Sequence, residues 1–383
     1  MKLRSRILDV QDTLAAFQQA LLSVADAHAE TVLPGYTHLQ HAQPITVGFW
    51  ASGHASLLAR DQERLSAAFA RTNLCPLGAC ALAGTSFPTD RALTARLLGF
   101  DGLVEHSLDA VSGRDFAVET LAALAILMGN LSKLAEEIIV WSSYEFAMVE
   151  LADAFAFGSS IMPQKKNPCI LELARARTGI VCGNLARLLM ATKAVPMGYN
   201  RDLQEDKLPV WESLDCVEGT LRILREVVGS LRIKPGRMRE LAGANFATAT
   251  ELANFLVRER GLAFRACHTM VGQLVHTLIQ EGKTFGDTER VAEILEADGV
   301  IVSPAELTDI LDPERSVRRQ QSVGSTSPDE VRRMISDLRG GIPASLIVER
   351  RSHMHQARTQ TAEVVRQVLA GVEVKQALHA ARV

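Results

Sequence analysis

Residues 121–141 read LAALAILMGNLSKLAEEIIVW, and this stretch decides what kind of protein the chain folds into. Its apolar residues repeat at intervals of three and four, the period of a helix rather than of a strand. Lys133, Glu136 and Glu137 interrupt the run, so it does not cross a membrane. The spacing predicts a helix over about 114–144, too long for one turn of a small domain and apolar on more than one side.

The same period extends in both directions. Leu14, Phe17, Leu21, Val24 and Ala25 share a face of a first helix over roughly 3–31. A second is expected over about 46–71. A fourth should start at Pro168, with Asn167 as its N-cap and proline in the first turn, both favoured there. A fifth is expected over about 203–231. Helices of about 26 residues reach ~40 Å at 1.5 Å per residue. Such lengths point to an all-α fold: a long central helical bundle, shared between subunits, plus a smaller C-terminal helical domain.

Composition agrees with an ordinary globular chain. Of 383 residues, 47% are hydrophobic and 22% charged, and 41 Lys and Arg nearly balance 44 Asp and Glu. A net charge of −3 gives no general attraction to nucleic acid or to an anionic membrane. The six cysteines form no CxxC pair and read as thiols of a reducing compartment, and the charged start MKLRSRILDV is not a secretory signal. A cytoplasmic address is expected. After about residue 237 the segments shorten, so residues 1–237 are assigned to the bundle and its loops, 238–341 to a small helical domain, and 342–383 to a helical tail, exposed or loosely docked.

Polar residues collect in three places between the long helices. PGYTHLQHAQP (34–44) carries Thr37, His38 and His41, where a histidine is either a structural group or an acid–base group near neutral pH. GSSIMPQKKNP (158–168) combines a glycine and two serines with two lysines and a following helix N-terminus. It reads either as a solvated connector or as a flap over a receptor for carboxylate or phosphate. A serine there serves as nucleophile or base only if its alkoxide is stabilised. PMGYNRDLQEDK (196–207) alternates donors and acceptors, and is either a solvated helix start or a site for a zwitterionic amino acid. No metal site is expected: His38-x-x-His41 lacks a third ligand, and His353-x-His355 lies among arginines.

At these three segments the sequence resembles the fumarase/aspartase superfamily, whose hallmark is GSSxMPxKxN. Within it QKKNP, GYTHLQHAQP and YNRDLQEDK resemble the argininosuccinate lyase family, as do LAGTSFPTDR, SLDAVSGRDF and LDPERSVRRQQSVGSTSP. The match runs over about residues 1–340. The resemblance implies a homotetramer that needs no cofactor and splits argininosuccinate into arginine and fumarate in arginine biosynthesis. Carried over by motif position, it implies that Ser159 takes the proton beside a succinyl carboxylate. Lys165 then stabilises the resulting aci-carboxylate, and Asn167 helps to hold it. It further implies that Thr37 binds carboxylate, and that His38, oriented by Glu172, protonates the leaving group or organises the site. Tyr199, Gln204 and Lys207 hold the arginine part. If the helices run up and down, segments 34–44 and 158–168 lie at one end of a chain and 196–207 at the other, so that several chains must build each site.

The sequence also departs from the family. Relatives carry an N-terminal domain with a serine-containing substrate loop, and an RND-type segment just before the first long helix. MKLRSRILDV matches inside that helix, so neither has a counterpart in this sequence. Impaired turnover by this chain alone is therefore expected. The open readings are a partial sequence of an active lyase, a lyase completed by a separately encoded N-terminal piece, and an inactive helical assembly that keeps the loops. A lyase for another succinyl adduct is a further alternative.

Overall fold

A computed structural model describes residues 1–381. Five long helices form its body: α1 (Lys2–Ala27), α2 (Val47–Thr72), α5 (Asp115–Ser142), α6 (Cys169–Thr192) and α7 (Lys207–Gly229). Between α1 and α2 lies a hairpin of β1 (Val32–Thr37) and β2 (Gln40–Thr46). The α2–α5 connection holds β3 (Leu74–Cys75), α3 (Arg91–Leu97), β4 (Gly102–Leu103) and α4 (Ser107–Ser112). After α5 comes β5 (Val149–Glu150), which pairs antiparallel with β6 (Arg232–Ile233) beyond α7. Then follow α8 (Pro235–Gly243), α9 (Ala249–Arg260), α10 (Phe264–Gln280), α11 (Thr288–Ala297), α12 (Pro304–Leu311) and α13 (Pro313–Arg318). The chain ends with α14 (Pro328–Gly340), α15 (Ala344–Leu369) and α16 (Val374–Ala380).

The expected period of three and four is what buries α5. Leu121, Leu124, Met128, Leu131, Ala135 and Ile138 lie within one continuous core with Leu14, Phe17 and Leu21 of α1 and Leu214, Val217 and Leu221 of α7. Here α5 packs along α6 and α2, and α1 along α2 and α7. A second core unites Leu252, Leu256, Cys267, Leu274, Leu295 and Leu307 from α9 to α12. Val331 and Ile335 of α14 and Ile347 of α15 belong to the first core. No helix among the described residues is long and apolar enough to cross a membrane.

Three local expectations are corrected. Residues 34–44, read as a loop, are most of a β-hairpin, whose alternation is broken by a register shift between Pro34 and Tyr36. Gly35 sits at that shift because a Cβ there would come within 2.7 Å of the Gln43 carbonyl oxygen. Asn167 does not cap α6, since Pro168 takes that place; its side-chain N–H donates instead to the Phe157 carbonyl, at 3.0 Å. Of the tail, α15 is docked on the body rather than loose, and residues 382–383 lie outside the described residues. Arg351 of α15 reaches Asp9 (2.8 Å) and Asp12 (2.5 Å) of α1, and Thr361 donates to the Leu97 carbonyl of α3.

At the start of α2, Thr46 accepts from the Phe49 amide at 3.0 Å, the N-cap contact that satisfies a free donor. Gly48 lets that turn lie against the end of α1. A Cβ there would fall 2.6 Å from the Ala25 oxygen and 2.7 Å from the Ala29 Cα.

Candidate active site

The hairpin presents the first group of predicted residues. Its turn is His38 and Leu39, at φ +56° and +58°. A two-residue hairpin turn with both residues left-handed normally takes Asn and Gly. Each non-glycine residue there costs about 1–2 kcal/mol, a strain that gathers at functional sites. Thr37, His38 and Leu39 are exposed. His41 is the structural histidine of the motif, with Nε2 3.3 Å from the Tyr36 hydroxyl and its ring edge-on to Tyr36. Tyr36 also packs on Phe146, at 5.6 Å, and burial raises its pKa above the ordinary tyrosine value. Its contact with Phe146 puts the hairpin at the C-terminal end of α5.

The flap occupies the same end. Its base is closed by a backbone pair, with Phe157 N–H donating to the Asn167 oxygen (3.0 Å) and Asn167 N–H to the Phe157 oxygen (2.8 Å). Above the base, Ser159 is half-buried, and its Oγ accepts from the amides of Ile161 (3.2 Å) and Met162 (3.0 Å). Lys165, Asn167 and Glu172 line one cavity of about 620 Å³, with Tyr144, Lys166 and Lys234. The two neighbouring lysines differ sharply in their partners. Lys166 donates to Glu150 (2.9 Å), Asp153 (2.6 Å) and the Leu151 carbonyl (3.2 Å). The bonds to Asp153 and Glu150 raise its pKa above the ordinary lysine value, and both carboxyls are lowered in return, chiefly by Lys166.

The third group lies at the other end of α5. Arg201–Asp206 form a 3₁₀ helix ahead of α7, so the fifth helix begins four residues later than its period suggested. Tyr199 and Gln204 meet directly, the amide donating to the phenol oxygen at 2.8 Å. Lys207 pairs with Asp206, which is 7% exposed and also accepts from Arg114 Nε at 2.8 Å. Ser112 Oγ accepts the Gly198 amide at 2.5 Å, and Arg187 of α6 holds Glu205 at 2.8 Å. Ser112, Arg114 and Asp206 were not singled out as site residues from the sequence, although SLDAVSGRDF and QEDK contain them. Their signal is one of pairing across the fold, which a linear pattern does not carry.

Lys165, Asn167 and Glu172 thus share one cavity, with Ser159 in the same loop but outside that cavity's lining, and Tyr199, Gln204 and Lys207 fall in another segment. His38 makes no hydrogen bond to Glu172 among the described residues, and the hairpin tip contributes nothing to the flap cavity. Between the flap and the Tyr199 loop stand the 28 residues of α5, ~40 Å at 1.5 Å per residue. Each group on its own offers donors to an anion or partners for a polar ligand, and neither reaches the other within a protomer.

Residues 1–183 match a family model described as Lyase, and residues 246–318 one described as Argininosuccinate lyase C-terminal. The chain is 45% identical over 347 residues to the argininosuccinate lyase of Methanothermobacter thermautotrophicus, covering 89% of this chain and 74% of that protein. It is 42% identical over 377 residues to that of Rhodococcoides fascians, covering 98% and 75%. Among solved structures, EDDS lyase in complex with formate superposes with a TM-score of 0.89 at 32% identity, over 99% of this chain and 75% of that one. A fumarate lyase from Mesorhizobium sp. BNC1, at 22% identity and a TM-score of 0.72 over 87% of this chain and 73% of that one, shares the fold.

Proposed function

The chain belongs to the argininosuccinate lyase family of the fumarase/aspartase superfamily, a carbon–nitrogen lyase, and we propose from this how it splits argininosuccinate into L-arginine and fumarate. Ser159, as alkoxide, removes a proton from the succinyl carbon beside a carboxylate. The electron pair moves onto that carboxylate, building a second negative charge that Lys165 and Asn167 stabilise. Collapse of this intermediate forms the carbon–carbon double bond of fumarate and breaks the carbon–nitrogen bond. The departing guanidino nitrogen takes a proton delivered through His38, oriented by Glu172 of a neighbouring protomer, since the two are not bonded within one chain among the described residues. Thr37 holds a carboxylate, and Tyr199, Gln204 and Lys207 hold the arginine portion.

One observation carries this reading: Ser159 Oγ accepts two backbone N–H groups, from Ile161 and Met162. A free serine is a poor base. Hydrogen bonds to a charged acceptor are worth about 1.5–3 kcal/mol against 0.5–1.5 for a neutral one, so two amides aimed at Oγ favour its ionised form. Cations and donors placed where charge develops lower the barrier of such a reaction more than any other single effect.

Because flap and Tyr199 loop stand at opposite ends of α5, we assign each site to several protomers of a homotetramer. The outward face of α6 supports this. Leu173 and Ile180 repeat at seven residues, as do Ala176, Gly183 and Met190, and all five are exposed. An apolar seam at that period, with small residues, suits close packing against helices of other copies. We place the protein in the cytoplasm, on its six free thiols and its biosynthetic reaction.

The decisive experiment is Ser159→Ala. Fumarate release, followed by absorbance, should fall about a thousandfold or more, as expected when an essential base is lost. Light scattering should still report about four chains. Near-normal turnover would remove Ser159 from this role. A faster release of fumarate from another amine adduct of succinate than from argininosuccinate would favour the chemistry of EDDS lyase, which the chain resembles at 32% identity.

A further inference from the structure

We propose that Lys166 is a positioning residue, which fixes the base of the flap through Glu150 and Asp153 and so leaves Lys165 as the lysine that meets substrate. The inference rests on the lyase reading above and divides the labour of two adjacent residues that carry the same charge.

All three donors of the Lys166 ammonium are used: Glu150 Oε1 at 2.9 Å, Asp153 Oδ1 at 2.6 Å and the Leu151 carbonyl at 3.2 Å. Such an ammonium has nothing left to offer a carboxylate arriving in the cavity. Lys165 makes no side-chain hydrogen bond among the described residues and lines that cavity. Its own backbone N–H donates to the Met162 carbonyl at 3.1 Å, which keeps it in the loop.

Lys166's partners lead into rigid structure. Glu150 lies on β5, opposite Arg232 of β6, and both Arg232 and Lys234 stand 3.6 Å from its carboxylate. Met148, Val149 and Leu151 on either side are buried in the bundle core. Among the described residues the backbone of the flap base is held only by the Phe157–Asn167 pair, with the extra bond from the Asn167 side chain. An isolated bridge of that size is marginal in water. A single exposed ion pair adds little, whereas an ammonium gripped by three acceptors from one short segment has its geometry set. At neutral pH the lysine is held charged and both carboxyls ionised, so the clamp is formed where the enzyme works.

Without Lys166, Asn167 and Lys165 would be displaced relative to Ser159 by the swing of an untethered base. A misplacement near 1 Å costs up to about 100-fold in rate. Two measurements test this. By hydrogen exchange with mass spectrometry, peptides spanning residues 157–168 should exchange at least about tenfold faster in Lys166→Met, while peptides of α1 and α5 keep their rates. In the fumarate assay, kcat should drop about 10- to 100-fold while KM stays within about threefold, the pattern of lost alignment rather than lost binding. Lys166→Arg should recover protection and most of kcat, and Glu150→Gln should show a weaker form of the Lys166→Met defect. Unchanged exchange in Lys166→Met overturns the clamp. Wild-type kcat together with fast exchange overturns its positioning role. The exchange measurement needs no turnover, so a wild-type chain that released no fumarate would defeat the lyase reading and leave the clamp to be decided on its own.

Discussion

The two polar segments at opposite ends of α5 are secured in opposite ways. Among the described residues the flap is tied only at its base, by a backbone pair and Lys166, and its upper part carries Ile161, 86% exposed, and Ser159, bonded only to its own loop. The Tyr199 loop is anchored along its length, by Ser112 at Gly198, by Arg187 at Glu205, and by Arg114 at the buried Asp206. A segment held at its base can open and close; one held at several points is a preformed receptor. The contrast fits a reaction in which the arginine part is received by a rigid surface and the base is carried in by a loop that closes and excludes water.

The sharpest way to break the comparison is to loosen the fixed side. Arg114→Leu would leave the Asp206 carboxylate buried with Lys207 as its remaining partner. Because Asp206 keeps Lys207, the cost is that of one charge-assisted hydrogen bond at a part-buried carboxylate, about 1.5–3 kcal/mol. Urea denaturation should show a loss of that order, and KM for argininosuccinate should rise with it, because Lys207 and Gln204 lose their frame. A stability loss no larger than a surface substitution gives, within about 0.5 kcal/mol, would mean that the loop is no more rigid than the flap.

How much of this was open to a reader of the sequence depends on where each signal is stored. The long helices were legible because Leu14, Phe17 and Leu21, or Leu121, Leu124 and Met128, repeat on one face; their ends came within a few residues. The hairpin was not. Pro34, Gly35 and Pro44 break its alternation, and the turn uses His38 and Leu39 where Asn and Gly would announce it. Asn167 before Pro168 carries every mark of a helix cap, and the fold spends its amide on Phe157 instead. The family motif singles out Lys165 over Lys166 by position, but gives no physical reason for the choice. What separates them are Glu150 and Asp153, sixteen and thirteen residues earlier, brought close only by the turn after β5.

A smaller effect would sharpen the receptor half. Gln204 donates to the Tyr199 hydroxyl, an exposed contact at 2.8 Å. Tyr199→Phe removes the acceptor, and a neutral hydrogen bond of this kind is worth about 1 kcal/mol. KM should rise about threefold to tenfold with kcat little changed, since uniform binding is lost rather than stabilisation of the transition state. A fall confined to kcat would instead put the phenol next to the reacting bond.

The smallest expected effect concerns the flap base and pH. The carboxyls of Glu150 and Asp153 are lowered from 4.5 and 3.8 chiefly by Lys166, whose own pKa is raised from 10.5 by its bonds to Asp153 and Glu150. For the acids, folded values below the unfolded ones mean that the clamp contributes fully above about pH 4.5 and is lost as pH falls through the depressed folded values. For the lysine the sign reverses: its contribution is complete below 10.5 and fades as pH rises past the elevated folded value. Protection of residues 157–168 against hydrogen exchange, corrected for the intrinsic rate, should therefore be flat from neutral pH to about 5 and decline below 4.5. The groups are exposed and screened, so the decline should be shallow and should shrink further in salt. In Lys166→Met the same profile should be flatter, because the acids lose the partner that shifts them most, while Arg232 and Lys234 stay near Glu150. A decline as steep in the variant as in the wild type would trace to other carboxylates, and the flap base would then owe its order to the Phe157–Asn167 pair rather than to Lys166.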